Sequence, residues 1–119
     1  MTYEFYKILH FTGIFFIFMT LGAQLLHYMA GGTKDHPLRK LLGMSHGIGM
    51  LLALVGGFGL LARLQIGFPG WIYAKVAIWI FLGGVSVIAM KKAQLARSLW
   101  FVVIALGVLG AYLARMKPF

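Results

Sequence analysis

Gly70-Trp71-Ile72-Tyr73-Ala74-Lys75-Val76-Ala77-Ile78-Trp79 is the stretch on which the reading of this chain turns. It follows the break at Gly67-Phe68-Pro69 and opens an apolar run that continues to about Met90. Such a run supplies the roughly 20 residues that a helix needs to cross a hydrocarbon core. Lys75 stands about one turn inside it. An ammonium group is expensive in hydrocarbon, so this lysine must snorkel to the interface, find a partner or give up its proton.

Three more apolar runs surround this one, at about Phe5 to Tyr28, Leu41 to Leu64 and Ser98 to Arg115. Gly31-Gly32-Thr33 breaks the chain after the first, Lys91 to Arg97 forms a short basic connector before the last, and Pro118 stops it. Of the 119 residues, 61% are hydrophobic and 11% charged, with Glu4 and Asp35 the only acids. A soluble domain carries about a quarter charged residues. The expected fold is therefore an all-α integral membrane protein, a single transmembrane domain over residues 1–119. Its helices are expected at about 5–28, 41–64, 71–90 and 98–115. Short connections predict an up-down-up-down antiparallel bundle.

The net charge of +9 does not mark a nucleic-acid binder. Basic residues sit singly or in pairs at the ends of apolar runs, where anionic lipid headgroups account for them. Lys34, Arg39, Lys40, Lys91, Lys92 and Arg97 fall on one side; Lys7, Arg63, Arg115 and Lys117 fall on the other. This bias puts the two basic connectors in the cytoplasm and both termini outside, in a membrane of the bacterial inner type. Glu4 and Lys7 precede the first run in place of a basic n-region, and Thr20-Leu21-Gly22-Ala23 is a weak cleavage site, so that run reads as a retained helix. The absence of cysteine excludes disulfides, thiolate metal sites and haem attachment through C-x-x-C-H.

On the first helix His10, Gly13, Ile17, Thr20, Gln24 and His27 recur at spacings of three and four, so one face carries nearly all its polar groups and is expected to point inward. The second helix holds Gly43, Gly47, Gly49, Ala53, Gly56, Gly57 and Gly59. Small residues let membrane helices approach closely, or alternatively leave room for a flat cofactor. Two histidine-based pairings are open. In an antiparallel bundle the first and third helices run parallel, which puts His10 and Lys75 both about 6–8 Å into their helices, on the same side. An imidazole and a neutral amine there can hold an iron porphyrin. The alternative pair is His27 with His46, both near the basic connectors, with Gly49, Ala53 and Gly56 continuing from His46 as a groove. His36, in the polar loop before Pro37, reads as solvated. The seven methionines are scattered, which signals copper only weakly. With two acids on opposite sides, no acid–base pair for hydrolysis exists.

Tyr6-Lys7-Ile8-Leu9-His10, Pro37-Leu38-Arg39-Lys40-Leu41-Leu42, Gly70-Trp71-Ile72-Tyr73-Ala74-Lys75-Val76-Ala77 and Lys117-Pro118-Phe119 together resemble, in the same order, the HemJ type of protoporphyrinogen oxidase and its SirB-like and CopD-like relatives. The resemblance covers nearly the whole chain. It implies haem b held by His10 and Lys75, and an oxidoreductase that converts protoporphyrinogen IX to protoporphyrin IX with electrons passed to an acceptor such as quinone. The chain departs from the family at Gly83-Gly84, where a histidine is usual, and near the fourth helix, where Gln94 stands in place of an acidic-asparagine pattern.

Two readings of different class follow. One is a haem-binding redox protein. The other is a small non-enzymatic accessory subunit of a larger membrane complex, in which Lys75 snorkels past Trp71 and His10 bonds a neighbouring carbonyl. The expected partners are the lipid bilayer and copies of the chain or other subunits. A copper or small-solute transporter is a third reading, and it requires a polar path through the whole bilayer.

Overall fold

The computed structural model describes residues 2–118. Its elements are α1 (Tyr3–Met29), α2 (Arg39–Leu64), α3 (Gly70–Lys91) and α4 (Ala96–Met116), with a short 3-10 turn at Ala93–Leu95 before α4. All four helices are long and apolar enough to cross a membrane. No strand occurs among the described residues.

Local chemistry explains where the helices begin and end. Thr2 caps α1 by accepting the Phe5 N–H at 3.1 Å, and Glu4 lies in the first turn beside the positive end of the helix dipole. This moves the start two residues ahead of Phe5. At the other end, Gly31 adopts a φ of +88°, and the Gly32 N–H returns to the His27 carbonyl at 2.9 Å. That closure needs a left-handed residue, which glycine supplies without penalty. Pro69 precedes α3 in extended geometry, and its carbonyl accepts from Ile72 at 3.0 Å. The last connector is shorter than the run of charges from Lys91 to Arg97 suggests. Ala96 is fully buried, so α4 starts there to place it in the core.

Small residues set the register of α1 against α2. Gly13 lies against Gly49 and Ala53, and Gly56 lies against the backbone of His10. A Cβ on Gly56 would come to 2.6 Å from the His10 Cα, closer than packing allows. Rising positions on α1 thus meet falling positions on α2. Gly22 on α1 faces Trp100 on α4, while Phe18 faces Gly107, the same opposed order. These seams are filled by protein, so they leave no slot for a flat group between α1 and α2.

The main core gathers Ile17, Leu21 and Leu25 from α1, Ala53 from α2, Leu82, Val85 and Ala89 from α3, and Ala96, Leu99 and Val103 from α4. A smaller cluster of Trp71, Ile72 and Leu113 joins the start of α3 to the end of α4. The outer surface is equally apolar: Ile8, Phe15, Met19 and Val108 are all more than 60% exposed. Such a distribution suits a surface in contact with hydrocarbon and would be an aggregation hazard in water.

Candidate functional site

His10 sits on α1 where the helix passes over Gly56 and Gly57 of α2. Its Nδ1–H donates to the Ala53 carbonyl at 2.7 Å. A carbonyl only accepts, so the bond fixes the proton on Nδ1 and leaves Nε2 of the neutral ring with a free lone pair. This is the arrangement that orients a metal-ligating imidazole, whose second nitrogen typically donates to a carbonyl or carboxylate. The ring is half-buried. Gly57 provides the floor beneath it, since a Cβ there would stand 3.3 Å from the ring.

Lys75 comes to the same end of the molecule from α3. It is half-buried and close enough for its charge to act on the His10 ring. Lys117, at the end of α4, acts on Lys75 in the same way, and its ammonium lies 5.5 Å from the centre of the Trp71 ring. This end therefore groups an imidazole lone pair, an amine and a second cation packed on an indole. Lys117 was not apparent as part of this group in the sequence. The opposed order of α3 and α4, which brings Leu113 onto Trp71 and Ile72, carries it there.

His27 and His46 occupy different surroundings. His27 bonds through Nε2 to the Thr33 carbonyl at 2.6 Å, and its ring lies 4.2 Å from that of His36. His36 therefore pairs with an aromatic neighbour rather than standing free in the loop. His46 is 8% exposed and lies in the α1/α2 seam, with Nδ1 3.4 Å from the Thr20 hydroxyl. The Gly83 carbonyl of α3 lies beside the ring, yet Nε2 closes no hydrogen bond of acceptable geometry. One turn along α2, the Met50 carbonyl accepts from the Trp79 indole at 3.0 Å, tying α3 to α2.

The polar stripe of α1 does turn inward, with Gly13, Ile17 and Thr20 buried. It is not continuous. Ile17, Leu21 and Val85 are at most 2% exposed, and the contact of Gly13 with Gly49 and Ala53 closes the seam between the His10 and His46 levels. The described residues therefore provide no through-going polar path of the kind a transporter needs.

No family model, no curated protein and no solved structure matches this chain. The functional reading rests on the geometry above and on the sequence resemblance.

Proposed function

We propose that this chain is a membrane-embedded haem b protein of the redox class that the HemJ-type oxidases exemplify. In this reading the four helices cross a bacterial inner membrane in an up-down-up-down order, with both termini outside. The observation that carries it is the His10 Nδ1–H bond to the Ala53 carbonyl at 2.7 Å, which leaves Nε2 with a free lone pair on a ring close enough to feel the charge of Lys75.

The donor chemistry fits an iron porphyrin. His10 offers a neutral imidazole, and Lys75, held away from bulk water, offers an amine once it has lost its proton. Lys117 keeps a positive charge at the same end, suited to a porphyrin carboxylate. Its ammonium lies over the Trp71 ring. When bound, haem would supply a one-electron couple able to relay electrons singly, over repeated turnovers, from protoporphyrinogen IX to a quinone-type acceptor.

The test is an absorption spectrum of the protein purified from membranes. A Soret band with b-type reduced bands is expected, lost on His10→Ala and on Lys75→Met. Colourless protein with no porphyrin in extracted pigment would end this reading. Colour that survives those two changes but not His27→Ala or His46→Ala would move the ligands to the other histidines.

A second reading has its own supporting observation. Gly43 and Gly47 form a small-xxx-small pair on α2 with open space around both, the kind of face on which membrane helices associate. A non-enzymatic accessory subunit, or a homo-oligomer, would use it. Leucine at both positions would then abolish co-purification of the partner, or the self-association, and leave the helices folded.

A further inference from the structure

Each end of the bundle carries a cavity, and the two linings differ in charge. One of about 370 Å³ lies among Phe58, Leu61, Ala62, Gln65, Gly67 and Phe68, none of them ionisable. The other, of about 300 Å³, lies where Tyr28 and Met29 at the end of α1 meet Ala93, Gln94 and Arg97 at the approach to α4. Its walls are held from behind, since Tyr28 and Met29 pack on the core that includes Ala96 and Leu99. Arg97 has no carboxylate to meet. Of the two acids in the chain, Glu4 lies in the first turn of α1 at the opposite end, and Asp35 faces Arg39 at 3.7 Å. Any anion that Arg97 binds therefore comes from outside the chain. A guanidinium presents its donors as a planar fork that takes phosphate oxygens two at a time, and the Gln94 amide and Tyr28 hydroxyl add donors from the walls.

We propose that this cavity holds the phosphate group of an anionic membrane lipid, with Arg97 as the fork and Gln94 and Tyr28 as flanking donors. Two features select a lipid over a dissolved ion. Met29 and Ala93 supply an apolar wall, which the glycerol and upper chain of a lipid can use and a hydrated ion cannot. The two connectors at this end hold six basic side chains against one carboxylate, which draws anionic lipid to it. The volume falls at the bottom of the usual range for small-molecule sites, about 300–1,000 Å³, and suits a headgroup. The proposal rests on the four helices crossing a bilayer and is independent of haem at His10.

The experiment is native mass spectrometry of the full chain in detergent micelles, titrated with phosphatidylglycerol, phosphatidylcholine or inorganic phosphate. One phosphatidylglycerol is expected to bind ahead of any phosphatidylcholine, and inorganic phosphate to leave it in place. Arg97→Gln is expected to weaken that first lipid about tenfold, the loss of a charge-assisted pair. Arg97→Lys keeps the charge without the fork and should recover only part of the affinity. The double change Lys91→Gln, Lys92→Gln lies outside the lining and should cost at most about threefold. All three side chains are exposed, so these variants keep the fold, which far-UV circular dichroism checks. Equal losses at Arg97 and at the lysine pair would reduce the site to a diffuse charged surface and overturn the proposal. Displacement by phosphate at equal concentration would make it a free-anion site, and no preference between the two lipids would remove it; either overturns the proposal too. A chain released from membranes by carbonate without detergent would end the bilayer reading along with this one. A chain that stays in the membrane and shows no lipid preference would end this one alone.

Discussion

His10 and His46 lie on the same α1/α2 seam, and each meets a neighbour on that seam through Nδ1. The first donates to the Ala53 carbonyl at 2.7 Å; the second lies 3.4 Å from the Thr20 hydroxyl. Their surroundings then diverge. His10 is half-buried, with Gly57 beneath it and Lys75 and Lys117 nearby. His46 is buried against Thr20 of α1, with the Gly83 carbonyl of α3 beside it. The chemistry of the imidazole is the same at both, so access decides what each can bind. A half-buried lone pair near an amine suits a ligand that arrives from outside the bundle, and a buried imidazole suits a contact between helices.

The contrast breaks most sharply in colour. His10→Ala is expected to remove the whole Soret band, and His46→Ala to leave it within a few per cent; the reverse result would exchange the two roles. The next largest effect concerns the seam that both histidines share. Gly56→Leu drives a side chain into the backbone of His10, and overpacking of this kind costs about 3 kcal/mol. Unfolding titrations in mixed micelles should show that loss together with weakened haem retention. A stable, fully coloured Gly56→Leu protein would mean that α1 and α2 do not pack as described.

Thr20→Val tests the buried histidine alone. Losing the modest hydrogen bonding of the Thr20 hydroxyl costs about 1 kcal/mol, and it should alter the surroundings of His46 with no change in the visible spectrum. A shifted Soret band in that variant would show that the two ends are coupled. The smallest effect is expected at Asp35→Asn. The Asp35–Arg39 pair is 3.7 Å apart and largely exposed, so stability should move by less than about 0.5 kcal/mol. A larger change would give the first connector a role in holding His27 and His36 that their ring contact does not explain.

Much of this was legible in the sequence because helices convert residue number into depth. Counting from Phe5 and from Trp71 placed His10 and Lys75 at one level, and the structure puts them at the same end. Rotation around the axis was harder to read. Gly43 and Gly47 look like a packing pair in the same series as Gly49, Ala53 and Gly56, but they lie about 130° around α2 from that face at 100° per residue. The structure leaves them open. The start of α4 was hidden because Lys91, Lys92 and Arg97 read as connector, while the buried Ala96 within that run gives no polar or apolar contrast. Lys117 and the Thr20–His46 contact depend on which helices meet, and no spacing within one helix reports that.

The closed middle of the seam has a consequence for sidedness. Ile17, at 2% exposure, and the contact of Gly13 with Gly49 and Ala53 lie between the His10 and His46 levels. In reconstituted vesicles, a reagent confined to one face should reach one histidine and spare the other. Membrane-impermeant ligands for haem and for imidazole, applied from opposite sides, would then report on the two halves of one small protein without interfering.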